Sequence, residues 1–333
     1  MSVPLSLLDL AFIGLGETAA DALHGCVQLA RRAEACGYRR VWYAEHHNMS
    51  RIASSAPAVL IAHVAAHTRT IRLGAGGVML PNHAPLVIAE QFGTLASLHP
   101  GRIDLGLGRA PGGDASTFRA LRREATAADT FPQDVAELQA YLGGHAGVAG
   151  VLATPGSDTK VPLYILGSSL YGARLAANLG LPYAFASHFA PAALQQAVAL
   201  YRGSFRPSAV LARPYVIAGI NVAVADTEGE ARAQLLRAQR LRVSVLLGGG
   251  RDLPDEEADA VLASPQGRFL REMMHFVAVG EPAAVRADLE RFAALADADE
   301  LMLALGGTTV AERVHAAGLV AAAWGPPSDV GPG

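Results

Sequence analysis

Short apolar runs and longer amphipathic segments alternate along the chain. Leu5–Phe12 and Arg40–Glu45 are apolar runs of strand length, and they predict the first two strands. Between them, Thr18 and Asp21 have the spacing of a capping box, which predicts the start of a helix. Gly37 is typical of the residue that follows a helix. The chain therefore opens with a strand, a helix and a second strand.

The same alternation continues towards the carboxyl end. Further strands are predicted at Ile71–Leu80, Arg102–Leu107, Pro162–Leu166, Tyr183–Ser187, Pro214–Ala225, Phe276–Gly280 and Glu300–Leu305. Helices are predicted at Pro57–His67, from Pro85 onward, near 133–142, up to Gly180, at Ala192–Phe205, within 226–275 with breaks at Gly248-Gly249-Gly250 and Pro254, at Pro282–Ala294 and at Thr309–Ala323.

Alternating strands and helices predict a parallel sheet with right-handed crossovers. We expect one (β/α)8 barrel domain over residues 1–325, with insertions at its C-terminal face, and a flexible Pro/Gly-rich tail over 326–333. Nine strands are one more than a barrel needs, so Phe276–Gly280 is expected to pair outside it. A doubly wound open sheet remains the alternative, because periodicity alone does not close a sheet.

Composition narrows the class of protein. The 333 residues are 51% hydrophobic and 17% charged, with a net charge of -3, so a nucleic-acid partner is not expected. The sequence shows neither a signal peptide nor an apolar run long enough for a membrane span. Cys26 and Cys36 lie ten residues apart on one predicted helix, about 15 Å, beyond the reach of a disulfide. Free thiols and a cytoplasmic location are expected.

Two histidines and a carboxylate follow the second predicted strand, as Glu45-His46-His47. Such groups at a strand end of a barrel can act as acid/base residues or metal ligands. Neighbouring strand residues point to opposite faces, so His46 shares a face with Trp42 and Ala44 and does not easily share a metal ion with His47. One histidine acting in an active site is favoured over a structural pair and over a metal site.

Glycines interrupt the third predicted strand at Gly74, Gly76 and Gly77. Glycines weaken a strand, and they commonly mark a bulge or a close approach by a ligand. A flat ring can lie against backbone that carries no β-carbons. The alternative is a barrel wall that needs small residues for helix packing.

Two further strand ends carry groups that suit an anion. Arg109 follows the fourth predicted strand and is interpreted as an anion ligand, with a surface ion pair as the alternative. The glycine spacing before it only partly matches a dinucleotide fingerprint, and Pro111 and Gly112 oppose the helix that such a fingerprint requires. Gly167-Ser168-Ser169 leads into a helix whose free N–H groups suit a phosphate, although ordinary N-capping is also possible.

Together these segments resemble the luciferase-like flavin-dependent monooxygenase superfamily. The runs that carry the resemblance occur in the family's order and are Val41–Asn48, Gly77–Pro81, Gly101–Arg109, Pro162–Phe189 and, more loosely, Val279–Leu303. The resemblance implies a (β/α)8 barrel with FMN at its C-terminal mouth, His46 as acid/base residue, no metal and a cis peptide at Gly76-Gly77. It assigns the cofactor to Ala75, Gly76, Gly77, Arg109, Gly167, Ser168, Ser169, Leu170, Tyr171 and Gly172.

The resemblance implies an enzyme that uses reduced FMN and O2 to oxidise a small apolar substrate, such as an aldehyde or a ketone. A separate flavin reductase is expected to supply the reduced FMN. Gly108 departs from luciferase, which has a cysteine beside the flavin, so a thiol has no role there. Three alternatives stay open: hydride transfer with a deazaflavin, a non-catalytic flavin-binding protein, and a metal-dependent hydrolase on the same barrel.

A homodimer is also expected from the resemblance, through the second and third helices. Small residues on and beside the second helix would permit close packing between subunits, and they are Ala56, Ala58, Ala62, Ala65 and Ala66. The same residues could instead pack against the barrel.

Overall fold

The computed structural model describes residues 2–109, 115–248 and 251–325. The strands are β1 (Leu5–Asp9), β2 (Arg40–Tyr43), β3 (Arg72–Met79), β4 (Ile103–Gly108), β5 (Leu163–Gly167), β6 (Tyr183–Phe185), β7 (Val216–Val224), β8 (Val277–Gly280) and β9 (Glu300–Leu305). The helices are α1 (Ala19–Ala35), α2 (Pro57–Ala65), α3 (Pro85–Leu98), α4 (Ala115–Ala120), α5 (Phe131–Leu142), α6 (Leu170–Leu179), α7 (Leu194–Ser204), α8 (Glu228–Leu247), α9 (Asp255–Ala263), α10 (Pro265–Met273), α11 (Pro282–Leu295) and α12 (Val310–Trp324), with 3₁₀ turns at Leu80–Asn82 and Ala125–Ala128.

Eight parallel strands close into a barrel. Each strand from β1 to β7 pairs with the next, and β9 pairs with both β7 and β1. The ninth strand, β8, pairs with β7 alone and lies outside the ring. The predicted (β/α)8 barrel is confirmed, as is the expectation that the segment at Phe276–Gly280 pairs outside it, and the open-sheet alternative is wrong.

The strand ends show where local chemistry ends the sheet. The first strand was expected to reach Phe12 but ends at Asp9, because the Asp9 carboxylate accepts a hydrogen bond from the Ala11 amide at 2.8 Å. Ala11 adopts a φ of 47°, which strand backbone does not allow. Strand β9 has the predicted bounds, and the capping box of Thr18 and Asp21 at the start of α1 is confirmed.

Some expectations fall on residues outside the described part of the chain. These are the positions of Pro111 and Gly112, the end of the glycine run after Gly248, and the tail over 326–333. Gly248 itself follows α8, and Pro254 precedes α9, as the pattern predicted.

The barrel interior has two layers of different chemistry. At the amino ends of the strands, the buried Arg40 guanidinium donates hydrogen bonds to Asp104 at 2.7 Å, Glu300 at 3.1 Å and Tyr164 at 2.7 Å. Above it lies the Trp42 indole, whose Nε1 donates to Asp104 at 3.2 Å and whose ring packs edge-on against Tyr164. We call the first layer the barrel floor. The apolar layer above it separates the floor from the opposite end.

Candidate active site

A cavity of about 690 Å³ opens at the carboxyl ends of the barrel strands. This volume lies in the usual range for a small-molecule site. Residues from nearly every strand end line it, and most of its wall is apolar. The catalytic end of (β/α)8 enzymes is this same face, so the cavity is the candidate active site.

His46 lies in the wall of this cavity. Strand β2 ends at Tyr43, and Trp42, Ala44 and His46 line the cavity as the alternation predicted, although Glu45 also contributes to the wall. The His46 amide donates to the Ser54 carbonyl at 3.1 Å, while its buried Nδ1 has no hydrogen-bond partner. Burial is the main cause that lowers the pKa of His46. The side chain is therefore a neutral imidazole at neutral pH, able to accept or to donate a proton.

His47 has a different role from His46. It contacts the buried Glu45 carboxylate at 2.9 Å, and His83 contacts the same oxygen at 2.8 Å. The Met79 amide donates to the other carboxylate oxygen at 3.0 Å. Burial raises the pKa of Glu45, but these hydrogen bonds outweigh it and hold the pKa below its usual value. Glu45 thus ties the end of β2 to the end of β3, which keeps the loop that carries His46 in place.

Glycines form one wall of the cavity. The peptide between Gly76 and Gly77 is cis, as the resemblance implied, and both residues line the cavity together with Gly108. A β-carbon on Gly77 would lie 2.8 Å from the Gly106 carbonyl oxygen, and one on Gly76 would lie 2.8 Å from the Trp42 β-carbon. Close packing within the barrel therefore excludes side chains here, which also leaves bare backbone facing the cavity.

The ends of β4 and β5 bring together the residues predicted to bind an anion, Arg109 and the turn Gly167–Ser169, which we call the anion cradle. The cap of α6 is Ser169, whose side chain makes no capping hydrogen bond, so ordinary side-chain capping is absent. The first amides of α6 are thus left without a side-chain partner. The Arg109 guanidinium lies 4.3 Å from the centre of the Tyr171 ring and donates to the Ala128 carbonyl at 3.2 Å. Its contact with Asp129 is long, at 4.0 Å, and both side chains are exposed.

The structure brings most of the predicted residues to this cavity. Those in its wall are His46, Gly76, Gly77, Arg109, Gly167, Ser168, Ser169, Tyr171 and Gly172. Ala75 and Leu170 are not in the wall. Ala75 alternates with its strand neighbours and is fully buried in the core between barrel and helices, and Leu170 packs against that core.

Two residues of the cavity wall, His188 and Arg242, were not predicted from the sequence. His188 follows β6, and its buried Nδ1 has no hydrogen-bond partner. Burial, Arg242 and His46 together lower the pKa of His188 to about 3. The strand-end rule that selected His46 would also have selected His188, three residues after β6. Arg242 lies within α8, where a sequence gives no sign of which helix face meets the cavity.

Within the described ranges, no group of three or more His, Cys, Asp or Glu side chains is placed to hold a metal ion. No helix in the same ranges is both long and apolar enough to cross a membrane. Cys26 and Cys36 are both free thiols, as expected.

A closed parallel barrel with a largely apolar cavity at its carboxyl end and a strand-end histidine in the cavity wall is typical of a (β/α)8-barrel enzyme. The sequence profile of luciferase-like monooxygenases matches residues 3–299, and the chain belongs to this family. It is 48% identical over 305 residues to a "Luciferase-like monooxygenase" of Escherichia coli (strain K12), covering 91% of each chain.

Solved structures share the fold. The crystal structure of apo-MsnO8 superimposes with a TM-score of 0.87 at 35% identity, over 97% of this chain and 98% of that one. Two structures under 25% identical show the fold alone. One is an F420-dependent secondary alcohol dehydrogenase, with TM-score 0.70 at 16% identity over 97% and 99%. The other is a type II Baeyer–Villiger monooxygenase in complex with FMN, with TM-score 0.69 at 17% identity over 96% and 97%.

Proposed function

We propose that this oxidoreductase is an FMN-dependent monooxygenase that oxidises a small, largely apolar organic substrate at an aldehyde- or ketone-like carbon. In the overall reaction one atom of O2 enters the substrate and the other leaves as water, while reduced FMN is oxidised. Bound FMN would supply the electrons for oxygen activation. The protein's own residues would bind, orient and shield the reactants.

The observation that carries this proposal is the anion cradle at the cavity rim. The Ser169 side chain leaves the first amides of α6 uncapped, and Arg109 stands beside the same turn. Free amides and the positive end of the helix dipole favour a phosphate. The phosphate of FMN would lie at this turn, and its ring would reach the bare backbone of Gly76-Gly77.

His46 is the residue that we assign to proton handling. It stands in the cavity wall as a neutral imidazole with an unpartnered Nδ1, so this nitrogen can accept a proton from the reacting centre or return one. Apolar side chains of the same cavity wall, among them Leu10, Phe12 and Met274, would keep water from the reaction.

Hydride transfer with a deazaflavin is the second candidate. The fold is shared by an F420-dependent dehydrogenase, and a phosphate cradle suits either cofactor. A spectrum of the purified protein mixed with each cofactor separates the two. We expect FMN to bind and its reduced form to be consumed in air with the appearance of oxygenated product.

The sharpest test of the cradle compares FMN with riboflavin, which lacks the phosphate. FMN should bind more tightly to the wild-type protein, and Arg109→Met should weaken FMN binding by about 1.5–3 kcal/mol, the range for a charge-assisted hydrogen bond. Riboflavin binding should not respond to the substitution. Equal affinity for FMN and riboflavin in the wild type would remove the basis of the proposal.

Partners and location are proposals as well. We propose that a separate cytoplasmic reductase supplies the reduced flavin and that the chain forms a homodimer through α2 and α3. Ala65 packs against the barrel core, whereas Val59 and Val87 on these helices are 72% and 44% exposed, so larger apolar side chains form the available face. A monomer mass by light scattering at micromolar concentration would contradict the dimer.

A further inference from the structure

Three buried nitrogens in the cavity have no hydrogen-bond partner: His46 Nδ1, His188 Nδ1 and Arg242 Nη1. Buried polar groups in folded proteins are nearly always hydrogen-bonded, so each exception calls for an explanation. All three side chains line the same cavity. Arg242 and His46 both help to lower the pKa of His188, so His188 lies within electrostatic reach of each of them.

Arg242 differs from the other arginines of the cavity wall. Arg313 donates to the carbonyls of Gly307 and Phe12, each at 3.2 Å, and Arg109 donates to Ala128. The Arg242 guanidinium has neither an ion pair nor a hydrogen bond among the described residues. Burial lowers the pKa of Arg242, but arginine remains a cation in proteins.

The acidic residues of the cavity wall are already engaged. The Asp9 carboxylate accepts the Ala11 amide at 2.8 Å, and Glu45 contacts His47 and His83. Neither carboxylate lies within ion-pair distance of Arg242. Arg242 is half-buried with its Nη1 fully covered, so this cation is poorly hydrated in an apolar wall. An anion that enters the cavity would pair with it and accept the hydrogen bonds that it does not otherwise donate.

Arg242 also stands apart from the phosphate cradle. It belongs to α8, which follows β7, and His188 follows β6, whereas the cradle follows β4 and β5. The side chains beside Arg242 in the wall are apolar, among them Leu241 and Val245. A single guanidinium in an apolar wall suits one planar monovalent anion better than a phosphate, which would need further donors.

We propose that Arg242 binds a carboxylate at one end of the organic substrate, with His188 as a neighbouring hydrogen-bond donor. The apolar part of the substrate would then extend along the wall towards His46. This inference rests on the proposed monooxygenase function for what happens to the substrate, but the carboxylate site itself can be measured without any reaction.

The test uses hexanoate and hexanamide as probes, because they have the same shape and differ in charge. Binding of each is measured by titration calorimetry, with the protein alone and with FMN added. We expect the wild type to bind hexanoate about 10-fold or more tightly than hexanamide. Arg242→Met should weaken hexanoate binding by about 10–100-fold, the effect of losing a charged hydrogen-bond partner, and leave hexanamide binding unchanged.

Two further variants separate charge from structure. Arg242→Lys keeps the charge and should retain a weakened preference for hexanoate. Arg232→Met is the matched control on α8, because Arg232 is exposed and pairs with Glu228 at 2.6 Å; it should bind both probes as the wild type does. Melting temperature supplies an independent readout: Arg242→Met should melt no lower than the wild type, since the half-buried Arg242 has no ion pair or hydrogen bond to lose within the described ranges.

The outcomes distinguish this inference from the proposed function. Equal binding of the two probes by the wild type would overturn the carboxylate site, and so would unchanged hexanoate binding in Arg242→Met. Loss of FMN binding in Arg242→Met, with hexanoate unaffected, would assign the arginine to the cofactor instead. If hexanoate is preferred but FMN does not bind the wild type, the carboxylate site stands and the proposed function fails.

Discussion

Each end of the barrel holds an arginine, and the two arginines differ in their burial and in their partners. Arg40 at the floor is fully buried, and Arg242 at the mouth is half-buried. At the floor, Arg40 is surrounded by Asp104, Glu300 and Tyr164, all within hydrogen-bond distance. At the mouth, Arg242 has no such partner in the described chain, and two neighbouring histidines each leave a ring nitrogen unpaired. A fully buried charge with several partners holds the structure together, whereas a half-buried charge without a partner is available to a ligand.

The floor network is closed to any ligand. The Glu300 carboxylate also accepts hydrogen bonds from Ser6 at 2.5 Å and Tyr215 at 2.7 Å, and Trp42 covers Asp104. These contacts join four strands, β1, β2, β4 and β9, at their amino ends. Polar groups at this end of a (β/α)8 barrel commonly serve stability. We therefore expect substitutions at the floor to change unfolding and substitutions at the mouth to change binding and turnover.

Breaking the floor should have the largest effect on stability. Arg40→Met leaves Glu300 and part of Asp104 buried without their cation, and removal of one partner from a buried pair costs about 3–5 kcal/mol. The free energy of unfolding in urea should fall by that amount. FMN affinity of the folded fraction should change little, because the cavity lies beyond Trp42. Arg39→Met is the control: Arg39 is partly exposed and lies 3.7 Å from Glu300, so its loss should cost less than about 1 kcal/mol.

The corresponding substitution at the mouth of the barrel replaces His46. His46→Ala should lower turnover by about 10²–10⁴, the range for a positioned acid/base group, while unfolding and FMN affinity stay near the wild-type values. His47→Ala should lower turnover less, since His47 acts only through its contact with Glu45. Steady-state kinetics and flavin titration of both variants provide the measurement. Greater damage from His47→Ala would show that the wrong histidine has been assigned.

Substitutions in the glycine wall of the cavity should change both the packing of the barrel and the binding of the cofactor. Their effect is therefore intermediate between that of the floor variant and that of the His46 variant. Gly77→Val places a side chain against the Gly106 carbonyl, and overpacking of this kind costs about 1–3 kcal/mol. FMN binding should also be lost while the far-ultraviolet helix signal is largely kept. Gly203→Val is the matched control, since Gly203 lies on α7 outside the cavity wall and a β-carbon there meets nothing within 4 Å. Normal FMN affinity in Gly77→Val would show that this wall does not face the flavin.

The floor and the mouth also differ in how much of them could be predicted from the sequence. Strand and helix order followed from periodicity, and His46 followed from its place after an apolar run. The sequence predicts Arg40 only as the first residue of a strand. Its hydrogen bonds could not be predicted, because its partners Asp104 and Glu300 are 64 and 260 residues away along the chain. Arg242 lies in a helix with a mixed polar face. Its lack of a partner is a fact of three-dimensional packing, which no local pattern contains.

The smallest effect concerns the pH dependence of stability and the environment of His188. The pKa of this histidine is held near 3 in the folded protein, mainly by burial and then by Arg242 and His46, against about 6.5 in an unfolded chain. Below pH 6.5 the unfolded chain binds a proton that the folded protein refuses, so the stability contributed by the neutral ring is lost as the pH falls from 6.5 towards 3. The loss between pH 7.5 and pH 5.5 should be about 1.4 kcal/mol for this one group. His188→Gln, which cannot titrate, should lose less stability than the wild type over that interval by the same amount. Urea unfolding at both pH values measures the difference, and parallel losses in the two proteins would mean that His188 is solvated and that the mouth is less dry than its unpaired nitrogens indicate.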